Sequence, residues 1–234
     1  MKLPSFNPHL GENREPVGLS RYLDTLLANM GVLLACNVLF VLFSLPVVTA
    51  GPALVALNRV CCNVLRGKKS STADFVEAFK KNFRQGLVLS FTLLPLLVWL
   101  PYMAAAELQL WFETGSGAGA LCFYTALYLA VLAVAVYLLP LTAHMTAPLP
   151  ELLRNAALLC VSGKGYTVAA TITTGFIFVA ILLWLPNTLP LMLLVHFSFL
   201  AYNACFFSWK IMSRDIFDRY YERHPEQAER DSYY

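Results

Sequence analysis

The stretch that decides the fold is VLFSLPVVTAGPALVALNRVCCNVLRGKK, which runs from Val41 to Lys69. It is apolar like a membrane helix, but Pro46, Gly51 and Pro52 interrupt it and Arg59 places a charge in its second half. Proline cannot donate a backbone hydrogen bond to a helix, so a helix that enters this stretch must end or kink there. The stretch therefore predicts a break inside an apolar segment and raises the question of what the charge is for.

The break explains how a long charge-free run fits into a bilayer. No Asp, Glu, Lys or Arg occurs from Thr25 to Asn58, and as one straight helix this run would be about 51 Å long against a hydrocarbon core of roughly 30 Å. We expect a helical hairpin in which Leu26–Leu45 crosses the membrane, the chain turns at the outer face, and Pro52–Leu65 returns. The returning arm would be only about 21 Å long. Either Val47–Ala50 completes the crossing, or the arm is re-entrant, which is tolerated where protein or a wet cavity covers the backbone.

The composition of the whole chain requires a bilayer as the main solvent. Of its 234 residues, 58% are hydrophobic and 13% are charged, whereas soluble domains carry about 25% charged residues. Further charge-free runs cover Gln85–Ala106, Thr114–Pro150 and Gly165–Trp209, and the last is close to two crossings with a turn at Leu185–Pro190. The sequence thus predicts an all-α polytopic membrane protein with six membrane helices, of which the first two form the proline-broken hairpin.

Prolines also predict where later spans end. Pro95 and Pro101 are expected to kink or end the third span, so that Glu107–Gly119 forms an outer loop. The apolar core of the fourth span is Ala120–Pro140, and an irregular segment, PLTAHMTAPLP, is expected to follow it.

The basic residues predict the orientation. Cytoplasmic loops of membrane proteins are enriched in Lys and Arg, and with a cytoplasmic N-terminus the basic loop at 66–84 and the C-terminal tail both face inward. The net charge of +3 is then explained by basic loops that face the cytoplasm and its anionic lipids. Nucleic-acid binding is not predicted, because the sequence contains no compact basic domain. We expect a bacterial cytoplasmic membrane protein with a transmembrane domain at 23–209. Residues 1–22 and 210–234 are expected to be its cytoplasmic segments.

A short helix with an aromatic stripe is expected after the hairpin. Ser71, three residues before Asp74, is a helix-capping signal. The phenylalanines and basic residues that follow suit an amphipathic helix lying on the inner membrane surface, and the alternative is a docking surface for a partner. These residues are Phe75, Phe79, Phe83, Lys80, Lys81 and Arg84. The segment PELLRNAALLCVSGKG, which starts at Pro150, shows a weaker form of the same pattern.

These segments together resemble a known family. An Asn-containing first span that ends in SLPVVTAGPALVAL, then a basic turn, then DFVEAFKKNFRQG, is similar to the YesL-like family of small bacterial membrane proteins, a domain of unknown function. The resemblance runs from about Leu23 to the Gln85–Leu100 span. Members are often encoded beside sugar-uptake ABC transporters and their sensor kinases, which implies a role in carbohydrate uptake or its regulation. The family has no established catalytic residues, so the resemblance implies no site.

Arg59 is the most informative candidate residue. It lies roughly 10 Å along a helix from Arg66, and a charge inside the membrane costs about 2.5–3.5 kcal/mol on insertion scales. Either its long side chain reaches the inner headgroups, or it lines a polar cleft with Asn58 and Asn63 that holds an anionic or hydroxyl-rich group. Asn63 is one helical turn from Arg59, so the two residues share a face.

The last span carries two more polar candidates, His196 and Asn203, on one helix face. Such groups either hydrogen-bond to a neighbouring helix or form a proton-relay or substrate site. His144 is expected to be solvated in an inner loop. No metal or cofactor site is predicted, because the histidines are separated, no carboxylate stands at ligand spacing from them, and the cysteines lack zinc or redox spacing.

The leading functional hypothesis is a non-catalytic membrane protein that assists or regulates carbohydrate uptake by binding an ABC sugar permease or a sensor kinase within the lipid bilayer. It rests on the resemblance and on the lack of a nucleophile, base or metal set, which also argues against an enzyme. The alternative is an independent small-solute permease or channel that uses a polar intramembrane cleft. The sequence leaves open whether the chain forms homo-oligomers and what ligand it binds.

Overall fold

The computed structural model of the protein describes residues 19–145, 147–183, 187 and 189–218. The described chain is helical and contains no strand, which confirms an all-α fold. Its first helices are α1 (Leu19–Ala28), α2 (Met30–Ser44), α3 (Ala50–Leu65), α4 (Thr72–Lys81), α5 (Phe83–Thr114) and α6 (Ala118–His144). They are followed by α7 (Leu149–Leu183), the short α8 (Leu189–Leu191), a π-helical turn (Met192–His196), α9 (Phe197–Met212) and a second π-helical turn (Ser213–Asp218).

Several described helices are long and apolar enough to cross a membrane, so the protein is membrane-embedded. Four segments meet this criterion by length and composition: Val47–Leu65, Phe83–Thr114, Ala118–His144 and Leu189–Ile216. A fifth exists if α1 and α2 form one bent span, since Tyr22–Ala28 and Met30–Ser44 are bent by 71°. Within the described residues the count is therefore four or five, and the predicted six is not confirmed.

The chain turns between α2 and α3 where the prolines predict a break. Pro46 is extended and a short 3₁₀ turn, Val47–Thr49, follows it. The turn is fixed by Ser90 of α5, whose hydroxyl donates to the carbonyl oxygen of Val48 at 2.6 Å and accepts from the backbone N–H of Gly51 at 2.8 Å. Ser90 is only about 10 Å along α5 from its first residue.

This contact places the turn beside the first turns of α5. Val47–Leu65 is long and apolar enough to cross a membrane, and both alternatives for Pro52–Leu65, a full span and a re-entrant arm, stay predictions. Protein covers that arm, since 61% of its apolar window is buried, which is the condition for placing irregular backbone at membrane depth.

The third span is longer and more regular than the prolines predict. Pro95 and Pro101 both lie inside α5, which continues to Thr114. The helix ends at Gly115 and α6 begins after Gly117, and both glycines have positive φ angles, 69° and 95°. The predicted outer loop Glu107–Gly119 is therefore wrong except for a tight turn, and α5 and α6 form a helical hairpin.

The following segments are also more helical than expected. Pro140 lies inside α6, so the first part of the predicted irregular segment is helix up to His144. The predicted surface helix from Pro150 and the span from Gly165 are joined in α7, with a kink at Lys164, where φ is 33° and ψ is −104°. The predicted turn Leu185–Pro190 lies largely outside the described residues.

Helix α3 occupies the centre of the bundle. It packs against α1, α2, α4, α5, α6 and α9, and most of its residues are fully buried. Close packing against α5 depends on glycine, because a Cβ added at Gly86 would lie 2.4 Å from Cα of Pro52. The helix that follows the proline break thus becomes the element around which the others assemble.

Candidate functional site

Arg59 binds the C-terminal end of α6. Its Nη1 donates a hydrogen bond of 3.0 Å to the carbonyl oxygen of Ala143, in the last turn of that helix. The last carbonyl groups of a helix have no partner within the helix and carry partial negative charge, so a guanidinium group is stabilised there. The charge within the apolar stretch therefore has a structural partner 84 positions later in the sequence.

The C-terminal end of α3 places two more cations beside Arg59. Gly67, with φ of 73°, donates its N–H to the carbonyl of Val64 at 2.9 Å, and Lys68 donates to the carbonyl of Asn63 at 3.0 Å. This pair of bonds is the Schellman motif that closes many helices. Asn63 contributes to this motif through its backbone carbonyl, which accepts the hydrogen bond from Lys68. The motif also turns the chain so that Arg66 and Lys68 lie near the end of α6.

Arg66 lies against an aromatic ring. Its guanidinium carbon is 4.7 Å from the ring centroid of Trp209 on α9, within the range of a cation–π contact. The same indole contacts His144, with the ring centroids 5.4 Å apart. Trp209 therefore connects the last residue of α6 to the end of α3.

His144 is buried, so the expectation of a solvated histidine in a loop is wrong. Only 5% of its surface is exposed, because α6 continues through Pro140 and carries the ring into the protein. Its Nδ1 lies 2.9 Å from the carbonyl oxygen of Pro140, and since a carbonyl only accepts, Nδ1 must carry the proton. Its Nε2 is buried and has no hydrogen-bond partner among the described residues.

We call these four residues, Arg59, Arg66, Lys68 and His144, the basic cluster. The positive charges of the two arginines and the lysine all act on His144. Burial lowers the pKa of Lys68 from its usual value, and the charges of Arg66 and Arg59 lower it further. Among the described residues, the carboxylates of Asp74 and Glu77 on α4 act on Arg59 with the opposite charge.

Asn58 does not join Arg59 in one cleft. Its side-chain amide donates to the carbonyl oxygen of Leu54 at 2.9 Å, one turn earlier in the same helix. Its own backbone carbonyl accepts from the thiol of Cys205 on α9 at 3.5 Å. Asn58 thus faces α9 while Arg59 faces α6, and the predicted set of Arg59, Asn58 and Asn63 is divided between two faces of α3.

The polar residues of the last span lie apart from the basic cluster and from each other. Asn203 donates to the hydroxyls of Thr173 and Thr174 on α7, at 3.0 and 2.9 Å, which is the interhelical hydrogen bonding expected of a polar group in a membrane helix. His196 is 2% exposed and stacks on Phe178, with the ring centroids 6.2 Å apart. Its Nδ1 also has no partner among the described residues.

The aromatic stripe of α4 packs in part on the protein itself. The predicted capping box of Ser71 and Asp74 is present. Phe75 is fully buried, and the ring of Phe79 lies 4.8 Å from that of Phe43 and 5.5 Å from that of Phe83. Three basic residues of this segment remain exposed, namely Lys80, Lys81 and Arg84.

One buried polar residue was missed by the sequence analysis. Asn37 lies in α2, where its amide donates to the carbonyl oxygen of Leu193 at 2.6 Å and its side-chain oxygen accepts from the N–H of Ser198 at 2.8 Å. The acceptor and the donor lie in the π-helical turn and the first turn of α9, where the regular helical hydrogen bonding changes. An asparagine within an otherwise apolar run was the available signal.

In the described part of the chain, no group of three or more His, Cys, Asp or Glu side chains lies close enough to hold a metal ion. The cysteines are free thiols, of which Cys36, Cys61, Cys62 and Cys205 are buried.

Comparison with known proteins gives one match. Residues 33–103 match the model of a family described as protein of unknown function, DUF624. The matched residues begin in α2 and end within α5, so they include α3, α4 and the glycine contact between α3 and α5. No curated protein and no solved structure matches the chain. The match supports an uncharacterised family over this stretch, and the YesL-like assignment stays a prediction.

Proposed function

We propose that the chain is a non-catalytic protein of the bacterial cytoplasmic membrane that assists or regulates ABC-type carbohydrate uptake by binding a permease or a sensor kinase. In this proposal both termini face the cytoplasm, as the distribution of Lys and Arg along the sequence predicts. The tie to carbohydrate rests on the family resemblance in the sequence. The observation that supports partner binding is the uncovered end of the α5–α6 hairpin.

This end, residues 101–127, contains no buried residue. Its exposed aromatic side chains include Tyr102, Phe112 and Phe123, which are 66%, 74% and 63% exposed. Helix α5 has 32 residues, which is about 48 Å of helix and still about 37 Å of height at a tilt of 40°. The hydrocarbon core is about 30 Å thick, so the tip of the hairpin, where Trp111 and Phe112 lie, extends past it.

Exposed apolar groups outside the hydrocarbon layer are costly for a protein that acts alone. Clustered aromatic residues on a surface are typical of protein–protein interfaces. Trp and Tyr are also common at the lipid headgroups, so the test must separate docking from anchoring in the membrane. Two interior polar residues support a non-catalytic role, because Asn37 and Asn203 are used in hydrogen bonds between helices.

The experiment is a gentle-detergent pull-down of the tagged protein from its native membranes, from cells grown on mixed polysaccharides, with mass spectrometry of the eluate. We expect the wild type to recover a sugar-transport permease or its sensor kinase, and the double variant Trp111→Ala, Phe112→Ala to lose it. Phe91→Ala is the matched control, because Phe91 is an equally exposed aromatic residue of α5, at 68%, outside the hairpin end. Recovery of the chain alone, or equal loss with Phe91→Ala, would contradict the proposal.

A second candidate function is an independent small-solute permease or channel. It is favoured by the polar groups at membrane depth, Arg59 and His144 above all, and by the helices that contain proline. The purified protein alone would then move solute into liposomes, and Arg59→Ala would abolish this movement while expression survives. Liposomes that take up no more solute than empty ones would exclude this function.

A further inference from the structure

We propose that the basic cluster is a binding site for a phosphate group that carries, or lies next to, a hydroxyl. The inference goes beyond the proposed function, since it concerns the end of α3 and does not depend on the α5–α6 hairpin. It rests on the arrangement of charge and on one unused hydrogen-bond acceptor.

The residues of the basic cluster come from separate elements. Arg59 comes from the middle of α3, Lys68 from the loop after it, and His144 from the end of α6. Among the described residues, the carboxylates of Asp74 and Glu77 act on Arg59, whereas the charges that act on His144 and on Lys68 are those of Arg59, Arg66 and Lys68 themselves. Half-buried cations that repel each other are stabilised by an anion that lies between them.

His144 indicates which kind of anion fits. Because Nδ1 donates to the carbonyl of Pro140, Nε2 of the neutral ring is an acceptor and needs a donor. This atom is buried without a partner among the described residues, and an unsatisfied buried polar atom costs about 1–3 kcal/mol. A bare anion has only acceptors, so a ligand with both an anionic oxygen and an O–H group satisfies the lysine and the histidine together.

Two sources provide this chemistry. A phosphatidylglycerol headgroup has a phosphodiester beside two hydroxyls, and inorganic phosphate or a sugar phosphate carries the same groups in solution. A ligand would enter at Lys68, which is half-buried between the exposed residues Gly67 and Lys69, and it must displace the atoms that enclose Nε2 of His144 to reach that nitrogen. The experiment is designed to distinguish these sources.

The test measures binding of short-chain phosphatidylglycerol, phosphatidylcholine and inorganic phosphate to the purified full chain in detergent by calorimetry. We expect phosphatidylglycerol or inorganic phosphate to bind and phosphatidylcholine not to bind. Lys68→Gln should weaken binding about fivefold, as expected of one cation at an anionic headgroup. Lys69→Gln removes the same charge from the exposed neighbouring position and should leave the affinity unchanged.

A comparison of two anionic lipids tests whether the ligand must carry a hydroxyl group. Phosphatidylmethanol has the same charge as phosphatidylglycerol but no hydroxyl, so it should bind the wild type several-fold more weakly, and His144→Phe should remove this difference. If that variant fails to fold, the comparison of the two lipids on the wild type still tests the requirement. Binding of phosphatidylglycerol alone identifies a lipid site, and binding of inorganic phosphate identifies a soluble ligand. Equal loss with Lys68→Gln and Lys69→Gln, or no binding of either anion, would overturn the proposal.

Discussion

Replacing Gly86 with alanine is expected to destabilise the protein, because it separates α3 and α5, whose backbones are in direct contact at this position. A Cβ at this position would lie 2.4 Å from Cα and 2.5 Å from the backbone nitrogen of Pro52, whereas ordinary contacts begin at 3.4 Å. The helices must therefore move apart by about 1 Å, since backbone atoms cannot rotate away as a side chain can. The movement also strains the hydrogen bond of 2.8 Å between Gly51 and Ser90.

The expected loss of unfolding free energy is about 1–3 kcal/mol. Overpacking costs about 1–3 kcal/mol and the weakened hydrogen bond about 1 kcal/mol, and the higher helix propensity of alanine offsets about 1 kcal/mol. Thermal unfolding in a mild detergent measures it, with Gly31→Ala as the matched control. Gly31 also lies inside a helix, but a Cβ there meets nothing within 4 Å, so alanine should be neutral or stabilise by up to about 1 kcal/mol. The reasoning is refuted if Gly86→Ala unfolds at the same temperature as the wild type or as Gly31→Ala.

Two further substitutions test the interior. Asn37→Leu should lower the unfolding free energy by about 1–2 kcal/mol, because the N–H of Ser198 and the carbonyl of Leu193 lose their partner; an unchanged midpoint in the same detergent assay would show that these bonds contribute nothing. Lys164→Gly should raise the unfolding temperature by relieving the positive φ angle of 33°, a strain of about 1–3 kcal/mol. A lower temperature for Lys164→Gly would mean that the lysine side chain is worth more than the strain.

Charge-free runs predicted the location of several membrane helices, although the span predicted from Gly165 is not among the described helices that meet the criterion of length and apolarity. The prolines predicted the break between α2 and α3, but at Pro95, Pro101 and Pro140 the helices continue. Proline removes one backbone donor, and in a membrane protein neighbouring helices and local adjustment compensate for that loss. After Pro46 the chain changes direction, and the hydrogen bond from Ser90 to the carbonyl of Val48 stabilises the turn. This bond joins residues that are 42 positions apart in the sequence.

The candidate site was predicted only in part, for a similar reason. Arg59 stood out because a charge in an apolar run requires a partner, but the sequence could not show that the partner is a backbone carbonyl of α6. His144 was placed in solvent because the segment around it reads as a loop. Its burial depends on Trp209, which follows it by 65 residues and belongs to another helix. Long-range contacts of this kind leave no local pattern in a single sequence.

The central position of α3 has a consequence for how the chain is made. Helices enter the membrane in order of synthesis, so α3 arrives before most of the elements that enclose it. The guanidinium group of Arg59 gains its partner only when Ala143 has been made, 84 residues later. The carbonyl of Asn58 gains the thiol of Cys205 as its partner 147 residues later. The N-terminal part of the nascent protein, which overlaps the residues 33–103 that match the family model, therefore holds an incomplete interior until α9 is made.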